Sequence, residues 1–351
     1  MKIALDVMGG DFAPENPLVA AAEYIHHPQK EAELVLVGDT EIIKKGLQRH
    51  GINPSAVEIV HASEKIDMHE SPAIAIRKKK NSSISLGVDL VKNNKADAFV
   101  SAGNTGAMVA ASTLKLRTLE GIDRPAIAIA FPTTRNIGVL LDVGANSECE
   151  PSNFLQFAIM GRAYASHILG IENPSVGLMS IGEESSKGSE IIKKSHQLMK
   201  ESNINFKGNV EGNNLFDGLV DVIVCDGFTG NVIIKTAESQ MKALETFMRD
   251  EVKKSLKAML GAWLIKPVLK NLKKKADYEE YGGAPLLGIK GVCIISHGRS
   301  SPKALKNAIR VAAEFVQLGV NDYIIKETGK NEILVKSSEP NNEKPIKSAS
   351  V

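Results

Sequence analysis

Short apolar runs, each ending at a turn of glycine and small polar residues, dominate the pattern of this chain. Six such runs occupy residues 3–5, 98–100, 139–141, 176–181, 222–224 and 292–295. Near-continuous apolar strands are typical of a parallel sheet that is covered on both faces. The segments between them are long enough for crossover helices. The pattern therefore predicts a Rossmann-like α/β fold in three layers around a mostly parallel sheet.

Helical periodicity lies between the apolar runs. We predict helices at residues 16–24, 41–49, 85–93, 107–118, 153–170 and 189–200. The fifth helix follows Pro151 and Ser152, which we interpret as its N-cap, and it ends at Gly170, a typical residue beyond a helix end. One α/β domain over residues 1–330 accommodates these elements. Residues 331–351 contain few large apolar side chains, which predicts a disordered tail.

A lysine-rich amphipathic segment is predicted to form a helical arm over residues 240–280. Eight lysines and no acidic residue lie between positions 253 and 275, among apolar residues at helical spacing. Pro267 should kink or split the helix. Leu260, Trp263 and Leu264 suit the interface of an anionic membrane. The alternative interpretation, compatible with the first, is a helix that packs against a second subunit and exposes its lysines.

Composition and charge exclude several classes of function. The 43 basic and 41 acidic residues give a net charge of +2, which argues against nucleic acid as a partner. Three widely spaced cysteines imply no disulfide framework and fit a reducing compartment. An apolar strand directly after Lys2 leaves no space for a signal peptide, and no run of 18 apolar residues predicts a membrane span. We therefore expect a cytoplasmic protein with peripheral membrane contact at most.

The glycine turns indicate an anion site. Folds of this class bind ligands at the carboxyl ends of their strands, where glycine permits close approach and amides supply neutral donors. The expected ligand is phosphate-like. Lys187 and Asn231 are the preferred contacts to a reacting oxyanion, and His297 and Arg299 offer donors for phosphate or a carbonyl oxygen. The alternatives are a solvent-exposed charge at Lys187 and a satisfied loop residue at His297.

Other catalytic designs find little support in the sequence. It contains no HExxH motif, EF-hand loop, Cys/His cluster or GxSxG elbow, so we predict no metal, no cofactor and no nucleophilic triad. The first turn lacks a dinucleotide fingerprint and carries an acid instead. We interpret Asp6 and Asp11 as supporting residues that cap a helix or hold a lysine or an amide. The run Arg77, Lys78, Lys79 and Lys80 would attract an acidic protein, or else forms a solvated helix end.

The opening sequence Ile3-Ala4-Leu5-Asp6-Val7-Met8-Gly9-Gly10-Asp11-Phe12-Ala13-Pro14 resembles that of the bacterial phosphate acyltransferases of phospholipid synthesis, the PlsX family. Further motifs similar to those of that family are spread over residues 1–325. They are SAGNTGA at 101–107, LDVGAN at 141–146, GEE at 182–184, DGFTGN at 226–231, YGGAPLLG at 281–288 and HG at 297–298. Departures such as Val7 and Ile84 are conservative.

The resemblance implies transfer of a fatty acyl group from acyl carrier protein to inorganic phosphate, which yields acyl phosphate for a membrane glycerol-3-phosphate acyltransferase. It also implies a homodimer with a fold similar to phosphotransacetylases and isopropylmalate-type dehydrogenases. Phosphate is already anionic and can attack a thioester directly, so the missing triad is consistent with this chemistry. The basic run would dock the acidic carrier protein, and the arm would bring the oily product to a membrane.

On this basis we assign Lys187, Asn231 and His297 as catalytic. The predicted substrate-binding residues come from the glycine turns: Asp6, Gly9, Gly10, Asp11, Asn104, Thr105, Gly106, Asp142, Asn146, Gly230 and Arg299. Two alternative functions stay open, a phosphotransacetylase-like enzyme that uses acyl-CoA and a non-catalytic scaffold that binds lipid or carrier protein. A dehydrogenase is disfavoured because the dinucleotide fingerprint is absent.

Overall fold

The computed structural model describes residues 1–270 and 282–331, in which strands and helices alternate along the chain. The strands are β1 (Lys2–Asp6), β2 (Glu33–Gly38), β3 (Glu58–His61), β4 (Ala98–Ser101), β5 (Ala126–Pro132), β6 (Ile137–Leu141), β7 (Val176–Met179), β8 (Phe206–Val210), β9 (Val222–Val224), β10 (Ala284–Leu287) and β11 (Val292–Ile295). The helices are α1 (Glu15–Ile25), α2 (Thr40–Arg49), α3 (Pro72–Lys78), α4 (Ser83–Lys92), α5 (Thr105–Lys115), α6 (Pro151–His167), α7 (Glu190–Glu201), α8 (Gly227–Lys253), α9 (Leu256–Leu264), α10 (Pro302–Gln317) and α11 (Val320–Gly329).

The strands form one sheet in the order β3-β2-β1-β4-β11-β10-β5-β6-β9-β7-β8. Strands β3, β2, β1, β4 and β11 are mutually parallel, and so are β6, β9, β7 and β8. Between these two halves, β10 and β5 each pair antiparallel with both of their neighbours. The two parallel halves therefore run in opposite directions. The predicted α/β fold with a mostly parallel sheet is confirmed.

Apolar side chains cover both faces of the sheet. Along β1, Ile3 and Leu5 belong to one buried cluster and Ala4 to another, as the alternation of a strand requires. The first cluster includes side chains of α1, α6 and α10, and the second includes side chains of α4 and α5. This arrangement produces the three layers expected from the sequence.

Most predicted helices exist, with shifted ends. The helix predicted at 107–118 begins at Thr105 and ends at Lys115, just before Arg117, whose φ of 66° is left-handed. The prediction of Pro151 and Ser152 as N-cap is wrong. Glu150 caps α6 through a capping box with Asn153, and Pro151 occupies the first helical turn, where its missing N–H is tolerated.

The arm is described as far as residue 270. Only Gly227 and Gly230 of the 27-residue α8 are buried, so most of the helix has no cover in the described chain. A turn at Ile265 separates α9 from helical residues 266–270, in agreement with the predicted break near Pro267. Residues 271–280 of the arm and the predicted tail at 332–351 lie outside the described residues. In the described segments, no helix combines the length and the apolar character that crossing a membrane requires.

Candidate functional site

A cleft of about 460 Å³ lies where the two halves of the sheet meet. One wall contains Thr105 and Gly106 after β4, and Ser296 and His297 after β11. The facing wall contains the segments after β6 and β9, with Val143, Gly144, Ser147, Gly227, Phe228 and Asn231. Four of the six predicted glycine turns therefore contribute to one cavity. Its size falls within the range that small-molecule sites usually have.

The register of β10 explains how oppositely directed strands can end at the same cleft. Ala284 of β10 pairs with Ile295, the last residue of β11. Farther along, Leu286 pairs with Ile127 of β5, and the next residue of β5, Ala128, pairs with Leu141, the last residue of β6. The ends of β11 and β6 consequently lie at nearly the same height. Each half of the sheet then extends away from the cleft in its own direction.

The first three turns of α8 present a polar stripe to the cleft. Asp226 caps this helix by accepting from the N–H of Thr229 at 2.8 Å. Asn231, Lys235 and Glu238 follow at spacings of four and three residues, which place them on one helix face. Lys235 donates to Glu238 at 2.9 Å. The positive end of the helix dipole adds to the attraction for an anion here.

His297 presents a defined nitrogen to ligands. The main-chain N–H of Arg299 donates to its Nδ1 at 3.1 Å, so a neutral ring carries its proton on Nε2. Burial lowers the pKa of His297, and the charge of Lys235 lowers it further, against the opposing charge of Glu238. The neutral imidazole is therefore the prevailing form near pH 7. It can donate a hydrogen bond from Nε2.

Asp6 and Asn104, two predicted substrate contacts, hold the first wall together through hydrogen bonds. Asp6 is buried and accepts from the Ser101 hydroxyl at 2.7 Å and from the N–H of Met8 at 2.9 Å. Asn104 caps α5 by accepting from Ala107, and its amide donates to three carbonyls of residues 67–70. These partners use the polar atoms of both side chains. Both side chains therefore support the wall through internal hydrogen bonds, and their contact with substrate stays a prediction.

Asp142 and Asn146 have the same role in the second wall. Asp142 is fully buried and accepts from the N–H groups of Ile127, Gly144, Ala145 and Asn146. Burial raises the pKa of its carboxyl group, while these donors act in the opposite direction. The Asn146 amide donates to the Pro125 carbonyl and to Asp142. The Asp142 carboxylate and the Asn146 NH2 group are thus engaged within the wall, and contact of either residue with substrate stays a prediction.

Three of the predicted glycines are required where main chains cross closely. A Cβ atom at Gly230 would lie 1.8 Å from the carbonyl oxygen of Asp142, and one at Gly9 would lie 2.5 Å from the Asp6 carboxylate. Gly10 has a φ of 100°, which side chains rarely adopt. Packing alone explains these glycines, and none of them is among the residues that line the cleft. The prediction that they bind substrate is not needed to account for them.

Lys187 lies outside the cleft lining, on the exposed loop after β7. Asn209 holds this loop by donating to the carbonyls of Gly182 and Glu184, at 3.3 and 2.9 Å. Its Oδ1 lies 3.0 Å from Nδ1 of His196. The structure therefore brings Asn231 and His297 together but not Lys187, whose catalytic role stays a prediction.

The other predicted charged residues differ in whether they form ion pairs. Arg299 is exposed and its Nε lies 3.4 Å from Asp11, so these two predicted substrate residues contact each other, and neither is among the residues that line the cleft. Lys79 of the basic run pairs with Glu70 at 2.6 Å. In contrast, Arg77, Lys78 and Lys80 are exposed. Arg77 and Lys78 lie in the last turn of α3 and Lys80 follows it, whereas the first residue of α3 lies beside Gly106 at the cleft.

The sequence interpretation missed Lys235, Glu238 and Ser296. The signal for Lys235 was present, since it stands one helical turn after Asn231, but an acidic partner one turn later made it resemble an ordinary surface pair. The Ser296 hydroxyl is buried, borders the cleft, and makes no hydrogen bond to the described residues. Only the sheet register places that hydroxyl beside the cavity.

The fold is that of the phosphotransacetylases. A phosphotransacetylase from Streptococcus pyogenes superposes with a TM-score of 0.59 at 17% identity, covering 90% of this chain and 94% of the other. The EutD phosphotransacetylase from Staphylococcus aureus gives a TM-score of 0.57 at 16% identity with the same coverage. At this level of identity the similarity concerns the fold alone.

Sequence comparison adds the family. The model of the "Fatty acid synthesis protein" family matches residues 1–323. A protein named phosphate acyltransferase from Heliobacterium modesticaldum is 51% identical over 321 residues, which cover 90% of this chain and 94% of that protein. Its namesake from Geobacter sulfurreducens is 46% identical over 331 residues, with coverages of 93% and 94%. The chain therefore belongs to the phosphate acyltransferase family, as the sequence motifs indicated.

Proposed function

We propose that this protein transfers a fatty acyl group from acyl carrier protein to inorganic phosphate and releases acyl phosphate. The observation that carries the proposal is the joint presence of Asn231, the N-terminus of α8 and Nε2–H of His297 in one cleft. In this reaction a phosphate oxygen attacks the thioester carbonyl, the carbon–sulfur bond breaks, and the carrier thiolate leaves. Donors aimed at the developing oxyanion supply most of the catalysis.

The cysteines favour direct attack by phosphate over an acylated enzyme. Cys149, Cys225 and Cys293 are all buried. Burial raises the pKa of the Cys149 thiol to about 12, and it raises that of Cys225 as well. A thiol in this state contributes almost no thiolate near pH 7. Positioning of the two bound substrates then adds to the stabilisation of the oxyanion.

Features near the cleft suit an acyl donor on an acidic carrier. Ile127, Ile129 and Ile234 give the cavity an apolar side on which the acyl chain can rest. Arg77, Lys78 and Lys80 are exposed at the C-terminal end of α3, the helix whose first residue, Pro72, lies beside Gly106 at the cleft. A positive patch on this helix would increase the encounter rate with a negatively charged carrier protein.

The arm supports a proposal of homodimer formation and of contact with anionic membranes. Leu260, Trp263 and Leu264 of α9 are 61, 68 and 64% exposed. On α8, Met241, Leu244, Phe247 and Met248 are also exposed. Apolar areas of this kind mark interaction surfaces in proteins. A second subunit would cover part of α8, while α9 would deliver acyl phosphate to a membrane glycerol-3-phosphate acyltransferase.

The test measures acyl phosphate as its hydroxamate, with palmitoyl carrier protein or palmitoyl-CoA as donor, with and without phosphate. We expect product with the carrier-bound donor and only when phosphate is present. Preference for palmitoyl-CoA would favour a phosphotransacetylase-like enzyme. Binding of carrier protein without thioester cleavage would favour a scaffold, and equal thiol release without phosphate would refute acyl transfer to phosphate.

A further inference from the structure

We infer that Lys235 binds the phosphate substrate in the cleft and that Glu238 is the positioning residue that holds its ammonium group there. The inference rests on the proposed transfer to phosphate and adds the residue that recognises this anion. It assigns a substrate contact to a part of α8 that lies beyond the glycine turn at its start.

Lys235 lies on α8 one helical turn after Asn231. Asn231 and Lys235 both line the cleft and are four residues apart, so their Cα atoms are separated by about 6 Å along the helix axis. An anion at the start of α8 thus lies within reach of a long side chain from the next turn. Such a chain can reach back toward the helix N-terminus, as helical side chains tend to do.

The Lys235 ammonium group is held by Glu238 and keeps donors for a ligand. A lysine ammonium has three N–H donors, and one is directed to Glu238 at 2.9 Å. This ion pair restricts a flexible side chain while two donors remain for a phosphate oxygen. Lys235 is half exposed and Glu238 one-third exposed, so the pair stands at the mouth of the cleft, where phosphate enters from water.

Lys235 also supplies positive charge to the lining of the cleft. Among the residues that line the cleft in the described chain, Lys235 is the one with a permanent positive charge. Lys187 and Arg299 are not part of this lining, and His297 is neutral near pH 7 for the reasons given above. Neutral donors alone would bind a phosphate anion weakly, because water competes for the same hydrogen bonds. A cation in the cleft strengthens this binding.

Steady-state kinetics with Lys235→Met and Lys235→Arg provide the main test. We expect Lys235→Met to raise the KM for phosphate about tenfold or more and to leave the KM for the acyl donor within about twofold. Lys235→Arg should retain most of the phosphate affinity. Lys242→Met, on an exposed part of the same helix, is the control and should match the wild type. An unchanged KM for phosphate in Lys235→Met would overturn the inference.

A chemical rescue separates this role from an effect on folding. In Lys235→Cys, alkylation of the introduced thiol with 2-bromoethylamine forms a carbon–sulfur bond, expels bromide and restores an ammonium group. The three native thiols are buried, so the new thiol reacts selectively. We expect the KM for phosphate to return toward the wild-type value, whereas alkylation with iodoacetamide should have no such effect. Lack of rescue by the amine would refute a phosphate contact.

The inference and the proposed function fail in different ways. Wild-type protein that cleaves no thioester with phosphate would refute the function, whatever Lys235 does. Wild-type protein that makes acyl phosphate, together with a Lys235→Met variant of equal phosphate affinity, would refute only the inference. Glu238→Gln should raise the KM for phosphate less than Lys235→Met does, because the amide oxygen can still accept from the ammonium.

Discussion

The main-chain N–H of Arg299 donates to Nδ1 of His297 at 3.1 Å, and this contact leaves Nε2 to carry the proton of the neutral ring. A protonated ring would place a proton on Nδ1 and lose that hydrogen bond. Burial and the charges of Lys235 and Arg299 lower the pKa of His297, against Glu238 and Asp11. The neutral ring therefore persists on acidification below the ordinary pKa of 6.5.

We expect the acid limb of kcat that belongs to His297 to lie below pH 6.5, and Lys235→Met to move it upward because a positive charge is removed. NMR titration of the His297 ring would report the same shift. Linkage also predicts that stability is lost as the pH falls from 6.5 toward the lowered pKa, because the unfolded chain binds the proton first. Lys235→Arg is the control, and an unmoved ring titration in Lys235→Met would contradict the assignment.

Asn231→Ala should lower kcat by about a hundredfold, since removal of one oxyanion donor has effects of that order. The KM for phosphate should change little. Asn231 is an exposed part of the first turn of α8, so the substitution should leave folding intact. Measurement of kcat alongside thermal unfolding tests both statements. A kcat within about twofold of the wild type would remove Asn231 from the proposed mechanism.

Asn209 should matter if the loop that carries Lys187 takes part in the reaction. Asn209→Ala removes the two hydrogen bonds to Gly182 and Glu184 and should increase hydrogen exchange in residues 182–188. We expect Lys187→Ala and Asn209→Ala both to lower kcat, by about tenfold for Lys187 if it donates to the oxyanion. Lys200→Ala, which changes an exposed lysine near the end of α7, is the control. A wild-type kcat in Lys187→Ala would leave the loop without a catalytic role.

Charge reversal of Arg77 and Lys78 to Glu should raise the KM for acyl carrier protein and weaken its dependence on salt. Lys79 is unsuitable for this test because its pair with Glu70 supports the local structure. Lys92→Glu offers an exposed lysine elsewhere as the control. Rate measurements between low and high ionic strength give both quantities. An unchanged salt dependence would move the docking site away from α3.

Replacement of Leu260 and Trp263 by Glu should release the protein from anionic liposomes, because both side chains are exposed on α9. Leu114→Glu changes an exposed leucine of α5 and serves as the control. Sedimentation with phosphatidylglycerol vesicles is the measurement. If the double variant sediments as the wild type does, the arm has no role at the membrane.

Local patterns were sufficient to predict the strand–helix alternation, because apolar runs and helical periodicity can be recognised from residues that are close in sequence. The reversal of direction at β10 and β5 could not be predicted, since it depends on pairings such as Leu286 with Ile127 across the chain. The candidate site was likewise predicted only in part. Asn231 and His297 follow apolar runs and were found, whereas the buried bonds of Asp142 and Asn146 resemble ligand contacts until their partners are known.

The cleft takes its walls from residues as distant in sequence as Thr105 and Ser300. During synthesis the chain must therefore emerge almost completely before both walls can close on a substrate. A nascent or C-terminally truncated chain without β11 would lack His297 and one side of the cavity, although β1 and β4 could already pair. Catalytic competence should thus appear abruptly and late.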